Sequence, residues 1–134
     1  MIFTSNFKTA GHLPQAVAIS LGVPRGWRGA RCTVLAPPRP LIKIMDEATF
    51  IPLYRAQVLD KLDPHKIIRD LGGDNFIMLC WEASGEFCHR RVVAAWMLKH
   101  TGIQVEEFNP KLRAHQEWLR NLSAGTSVGA AGPT

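Results

Sequence analysis

The chain has 134 residues, a length that fits one domain with a single hydrophobic core. Its 46% hydrophobic and 20% charged content excludes an intrinsically disordered chain, and no apolar run approaches the ~20 residues of a membrane-spanning helix. The N-terminus lacks the residue order of a signal peptide, and three cysteines at positions 32, 80 and 88 do not make a disulfide framework. These features predict a cytoplasmic protein with reduced thiols.

The net charge of +5 is concentrated in the first third of the chain. Residues 1–45 contain six basic residues and no acidic one, whereas the ten basic and eleven acidic residues that follow nearly cancel. Five of the six lie between positions 25 and 43, and the full set is Lys8, Arg25, Arg28, Arg31, Arg39 and Lys43. Such a cluster fits a phosphate, nucleotide or nucleic-acid partner, and it equally fits a solvated basic loop.

The first half of the chain predicts strands at 2–7 and 16–21, a loop at 23–31 and a short strand at 32–35. About nine residues separate the first two strands, which is too few for a parallel crossover. These strands are therefore antiparallel neighbours or not adjacent. A helix follows over 46–61, with Asp46 as its N-cap and Pro52 inside it.

The second half alternates helices and strands. Asp63-Pro64 starts a helix that ends at Gly72-Gly73, and a strand follows at 75–80. A helix at 87–100, closed by Gly102, a strand at 103–108 and a final helix to about Leu122 complete the pattern. The prediction is a small single α/β domain over 1–122, with a mainly parallel sheet, flanking helices and a βαβ unit at about 75–108. The Gly- and Ala-rich segment 123–134 is predicted to be a flexible C-terminal tail.

The segment from Cys80 to Arg91 combines several chemically active side chains at the junction between a predicted strand and the next helix. In parallel sheets, ligands bind beyond the carboxyl ends of the strands. Arg90 and Arg91 lie in the first helical turn, where the helix dipole disfavours cations. They are therefore predicted to bind an anion together with backbone N–H groups. The alternative is an internal salt-bridge cluster in which Glu82 and Glu86 neutralise the two arginines.

Three side chains of this segment are candidate catalytic residues. Glu82 is a candidate acid or base, and Cys88, as a thiol at a helix N-terminus beside cations, is a candidate nucleophile with His89 beside it. Cys88 also fits a buried and inert role, and Cys80 fits strand packing. No metal site is predicted, because Cys80, Cys88 and His89 lack a closely spaced cysteine pair and an evident fourth ligand.

The same segment resembles the family called domain of unknown function 488, in the branch whose strand ends in Leu-Cys-aromatic-Glu before a helix that opens Glu-Phe-Cys-His-Arg. Here these motifs are Leu79-Cys80-Trp81-Glu82 and Glu86-Phe87-Cys88-His89-Arg90. The resemblance covers about residues 2–108, including Thr4-Ser5-Asn6-Phe7, Ala18-Ile19-Ser20, Val23-Pro24, Trp27, Gly29, Leu35-Ala36-Pro37, Tyr54 and Leu62-Asp63-Pro64. It implies a compact α/β domain with these pieces, Ser20 among them, around one pocket. It implies no particular reaction.

A second candidate surface is the loop at 25–31, where three arginines surround Trp27. Trp27 and Arg28, with Ser20, are predicted ligand contacts, since an indole can stack a base while a guanidinium holds its phosphate. The alternative is that Trp27 plugs the edge of the core. The sequence as a whole favours a small enzyme or sensor that binds a phosphorylated or nucleotide-like ligand at Cys80–Arg91. The competing hypothesis is a nucleic-acid-binding module that uses the basic 25–43 loop.

Overall fold

The computed structural model describes residues 1–82 and 87–122, and the predicted tail lies outside the described residues. In this part of the chain, five parallel strands form one sheet, which confirms the small α/β domain. The strands are β1 (Ile2–Asn6), β2 (Ala16–Ala18), β3 (Ala30–Arg31), β4 (Phe76–Cys80) and β5 (Val105–Glu107). The helices are α1 (Phe7–Ala10), α2 (Arg39–Ile42), α3 (Glu47–Gln57), α4 (Pro64–Asp70), α5 (His89–Thr101) and α6 (Arg113–Asn121).

The strand order is β3-β2-β4-β1-β5. β4 lies at the centre, paired with β2 on one side and with β1 on the other. The first two strands of the chain are therefore parallel and not adjacent, because β4 is inserted between them. The unit β4–α5–β5 is parallel as predicted, with β1 lying between its two strands.

All four predicted helices are present, as α3, α4, α5 and α6, and caps explain several of their ends. The Asp46 side chain accepts from the Thr49 N–H at the start of α3, and Asp63 accepts from the His65 N–H at the start of α4. Gly102 ends α5 with a φ of 75°, in the left-handed region that glycine adopts without penalty. None of the helices in the described part of the chain is long and apolar enough to cross a membrane.

The prediction of a strand at 32–35 is wrong. The last hydrogen bond to β2 in this segment is donated by the Cys32 N–H to the Ala18 carbonyl. The Leu35 N–H then donates to the Cys32 carbonyl, so Thr33–Leu35 forms a 3₁₀ turn. β3 precedes this turn, inside the segment that the sequence predicted to be a loop. The prolines that follow restrict the chain to the short helix α2.

Alternating side chains of the strands supply two separate cores. On one face, Ile2 and Met78 pack against α3, α4 and α5 through residues such as Tyr54 and Met97. On the other face, neighbouring strand residues pack against α1 and α6 in a smaller cluster that consists of Phe3, Ala10, Ala16, Ile77, Leu79, Phe108 and Trp118. Burial of both faces fixes the central strand β4, and with it the position of Cys80.

Candidate functional site

The carboxyl ends of the neighbouring strands β4 and β2 and the start of α5 meet at one edge of the sheet. β4 ends at Cys80, which is 1% exposed, and α5 begins at His89 with Cys88 as its N-cap residue. β2 runs alongside β4, so Ser20 lies just beyond the end of β2 at the same edge. This geometry agrees with the predicted location of the site after β4.

Cys80 and Cys88 are joined by a disulfide bond. The expectation of reduced thiols is therefore wrong for this pair, and Cys80 does more than pack a strand. The bond forms because the end of β4 and the start of α5 converge at the sheet edge, although eight positions separate the two residues in the chain. Cys32 is a free thiol buried in the larger core, and burial raises its pKa to about 11.

The disulfide lines a cavity of about 380 Å³ at this edge. Ser20, Glu82 and His89 contribute to its wall together with both cysteines. The remaining described lining is mainly apolar and consists of Leu21, Gly22, Pro37, Ile42, Ile44, Met45, Phe50, Trp81 and Phe87. Several of these apolar side chains are exposed at the rim, with Met45 at 87% and Trp81 at 55%. The cavity therefore presents an open apolar surface, and the two bonded cysteines, at 1% and 2% exposure, are buried in its wall.

His89 is buried and held in one orientation. Its Nε2 lies 2.8 Å from the Ile19 carbonyl oxygen, which can only accept, so Nε2 carries the proton of the neutral ring. Nδ1 is then unprotonated and lies 3.7 Å from Cys88 Sγ. Burial lowers the pKa of His89 to about 4, against the opposing effect of the Ile19 hydrogen bond, and the nearby Arg90 guanidinium lowers it further. The imidazole is thus an acceptor beside Cys88 at neutral pH and a weak base.

Arg90 is 1% exposed and binds groups of the protein. Its Nε and Nη2 donate to the two carboxylate oxygens of Glu107 at 3.2 and 2.9 Å. Its Nη1 donates to the Glu82 backbone carbonyl at 2.9 Å and lies 3.1 Å from Cys80 Sγ. Arg90 therefore forms an internal salt bridge, but with Glu107 of β5, an acid that was not considered from the sequence, and the contact of Arg90 with Glu82 is to the backbone carbonyl. Glu86, the other acid considered, lies outside the described residues.

The remaining predicted ligand residues divide between the cavity and other surfaces. Ser20 lines the cavity, where its hydroxyl donates to the Gly22 carbonyl. Arg91 is exposed and lines two other depressions, one beside Glu107 and one between α3 and α5. Trp27 is half-buried and packs edge-on against Phe7, as the core-edge alternative expected, and the exposed Arg28 is not among the residues that line the cavity. The structure therefore brings Ser20, Glu82, Cys88 and His89 together in the cavity wall. Arg90 lies behind this wall against Cys80, whereas Arg91, Trp27 and Arg28 lie on other surfaces.

Besides the disulfide, the sequence analysis missed two features of the site. Glu107, the partner of Arg90, is distant in sequence and approaches because β5 pairs with β1. The apolar rim formed by Ile42 and Met45 comes from α2 and the turn after it, in the proline-rich region read as a connection. The basic residues Arg39 and Lys43 lie in the same region, so the sequence indicated a polar surface there, whereas Ile42 and Met45 line the cavity.

Comparison of the chain with models of protein families, with curated proteins and with solved structures gave no match.

Proposed function

We propose that this protein carries out thiol–disulfide exchange, with Cys80 and Cys88 as a reversible dithiol–disulfide pair and the apolar cavity as the place where a partner thiol binds. The observation that carries the proposal is the disulfide in the wall of an open cavity, with the Arg90 guanidinium 3.1 Å from Cys80 Sγ. A buried cation beside one sulfur stabilises the thiolate that appears when the bond is broken.

The position of Arg90 assigns different roles to the two sulfurs. A substrate thiolate attacks Cys88 Sγ, a mixed disulfide forms there, and Cys80 leaves as a thiolate beside Arg90. A second substrate thiolate then attacks the substrate sulfur of the mixed disulfide and releases Cys88. Two electrons pass from the two substrate thiolates to the cysteine pair, and the substrate leaves as its disulfide. In the reverse direction, Cys88 attacks an external disulfide and Cys80 resolves the intermediate.

The described lining favours an apolar partner over the phosphorylated or nucleotide-like ligand expected from the sequence. The charged side chain in this lining is the carboxylate of Glu82, and the arginines expected to hold an anion are not among the lining residues. A neutral, apolar disulfide should therefore react faster than the anionic glutathione disulfide. Replacing Glu82 with Gln should raise the rate with glutathione disulfide and leave the rate with the neutral disulfide nearly unchanged.

Trapping of the mixed disulfide tests the proposed roles. In a Cys32→Ala background, Cys80→Ser removes the resolving sulfur, so incubation with a neutral aryl disulfide should accumulate a stable adduct on Cys88. The matched Cys88→Ser variant should accumulate much less adduct under the same conditions. Equal labelling of both variants, or none in either while both remain folded, would contradict the assignment.

Binding of nucleic acid through the basic loop stays a prediction. Arg25, Arg28, Arg39 and Lys43 are exposed, as electrostatic binding to a phosphate backbone requires. Association with single-stranded nucleic acid that weakens steeply as salt is added would support it, and salt-independent or absent association would not.

A further inference from the structure

The two cysteines of the disulfide and His89 form a group of potential metal-ligand atoms. The Sγ atoms of Cys80 and Cys88 and a ring nitrogen of His89 lie within 4.8 Å of one another, and all three residues are buried. We propose that, once the disulfide is reduced, the protein binds one Zn²⁺ through these three side chains. The inference rests on the proposed function in one respect, since the cysteine pair must be reducible in the folded protein.

The orientation of His89 fits metal ligation. Nε2 donates to the Ile19 carbonyl, so the lone pair of Nδ1 faces Cys88 Sγ. Histidines that bind metals almost always donate their other ring N–H to a carbonyl, a carboxylate or water, which fixes the tautomer and the ring orientation. The fold therefore supplies both the ligand and the group that orients it.

The sulfur-to-nitrogen distance at Cys88 and His89 fits tetrahedral zinc. Zn–S and Zn–N bonds of about 2.3 and 2.0 Å at a tetrahedral angle place sulfur and nitrogen about 3.5 Å apart. The Cys88 Sγ to His89 Nδ1 distance is 3.7 Å. The same geometry requires the two sulfurs to lie about 3.8 Å apart, which only a reduced pair can adopt. Zinc and the disulfide are therefore mutually exclusive states of one site.

The charges at the site also balance. Two thiolates neutralise Zn²⁺, and Glu107 neutralises Arg90, so no net charge is buried when the metal binds. The Arg90 guanidinium favours the thiolate form of Cys80 that a metal ligand requires. Because all three ligands line the cavity, the fourth zinc position faces the cavity, as in sites with three protein ligands that keep an exchangeable position.

The test compares reduced and oxidised forms of the same full-length chain. Protein reduced with a phosphine under anaerobic conditions is titrated with Zn²⁺ against a chromophoric chelator, and in parallel with Co²⁺. We expect one zinc per chain, with Co²⁺ giving thiolate-to-metal charge-transfer absorption and the intense visible bands of tetrahedral cobalt. The oxidised protein should bind at least ~100-fold more weakly, because its sulfurs are bonded to each other.

Variants separate this site from other metal binding. Cys32→Ala should bind as the wild type does. Cys80→Ser, Cys88→Ser and His89→Gln should each lose at least ~100-fold in affinity, because removal of a direct ligand costs more than the ~10- to 100-fold typical of outer-shell partners. If a variant fails to fold, the comparison of oxidised and reduced wild type still decides the question. Reduced, folded protein that takes up no zinc, or that binds equally well when oxidised, overturns the metal proposal alone. A pair that cannot be reduced without unfolding overturns the proposed function instead.

Discussion

Replacement of Arg90 with Met tests the role of the buried guanidinium. Arg90 is 1% exposed and makes a two-point contact with Glu107, whose side chain is 34% exposed. Breaking a buried ion pair by removing one partner typically costs ~3–5 kcal/mol. Because water can reach the remaining carboxylate, the low end applies, and we expect Arg90→Met to lower the free energy of unfolding by about 3 kcal/mol.

Removal of the acid of this pair should lower the free energy of unfolding more than removal of the arginine. Glu107→Gln leaves a positive charge buried without its counter-ion, so it should cost about 4–5 kcal/mol. The double variant Arg90→Met/Glu107→Met should recover much of the loss, since no charge is then left unpaired. Arg113→Met is the matched control, because Arg113 pairs with Glu117 on the surface at 88% and 49% exposure and should cost less than ~0.5 kcal/mol.

Urea unfolding of the oxidised proteins, followed by tryptophan fluorescence, gives these free energies. A cost below about 1 kcal/mol for Arg90→Met would refute the structural role of the pair. Stabilisation by sulfate that is present in the wild type and absent from Arg90→Met would show instead that Arg90 holds an anion. Equal sulfate effects on the wild type, Arg90→Met and Arg113→Met are expected, because the guanidinium is occupied by Glu107, Glu82 and Cys80.

Three further predictions concern the cysteines and His89. Reduction of the disulfide opens a loop of eight positions, so chain entropy predicts a loss of about 2.5 kcal/mol in urea melts with and without reductant, and an unchanged midpoint would contradict it. The folded-state pKa of His89, about 4, lies below its ordinary value of 6.5, so the unfolded chain takes up a proton first as the pH falls. His89 should therefore lower the free energy of unfolding of the oxidised, metal-free protein by about 1.5 kcal/mol between pH 6.5 and 5. The variant His65→Gln, which changes an exposed histidine, should retain this loss, and a flat pH profile would contradict it. Cys32, with its pKa raised to about 11 by burial, should resist alkylation until the chain unfolds, and rapid labelling of the native protein would show that it is accessible.

The fold follows from local signals in the sequence more closely than the site does. Asp46, Asp63 and Gly102 mark helix ends through their own chemistry, and the apolar run before Cys80 identifies the central strand. These signals also placed Glu82, Cys88 and His89 at the end of β4. What they could not give is the strand order, which depends on packing between distant segments.

The wrong predictions at the site also arise because the contacts there depend on packing between distant segments. Arg90 pairs with Glu107 because β5 lies beside β1, an arrangement that sequence neighbours such as Glu86 do not reveal. The disulfide was missed because an odd number of cysteines favours free thiols, whereas the geometry of β4 and α5 selects one pair and leaves Cys32 in the core. The resemblance to the domain of unknown function 488 family stays a prediction.

The reduction potential of the Cys80–Cys88 pair shows whether the bond is reversible in the folded protein. The protein is equilibrated in thiol–disulfide buffers of increasing potential, and the oxidised fraction is measured by alkylation and mass spectrometry while circular dichroism follows the fold. Because Arg90 stabilises the Cys80 thiolate, we predict one two-electron transition in the folded protein, at a midpoint more oxidising than about −270 mV, which Arg90→Met should make more negative. A pair that stays oxidised below about −300 mV, or that loses its bond only on unfolding, would contradict a role in thiol–disulfide exchange.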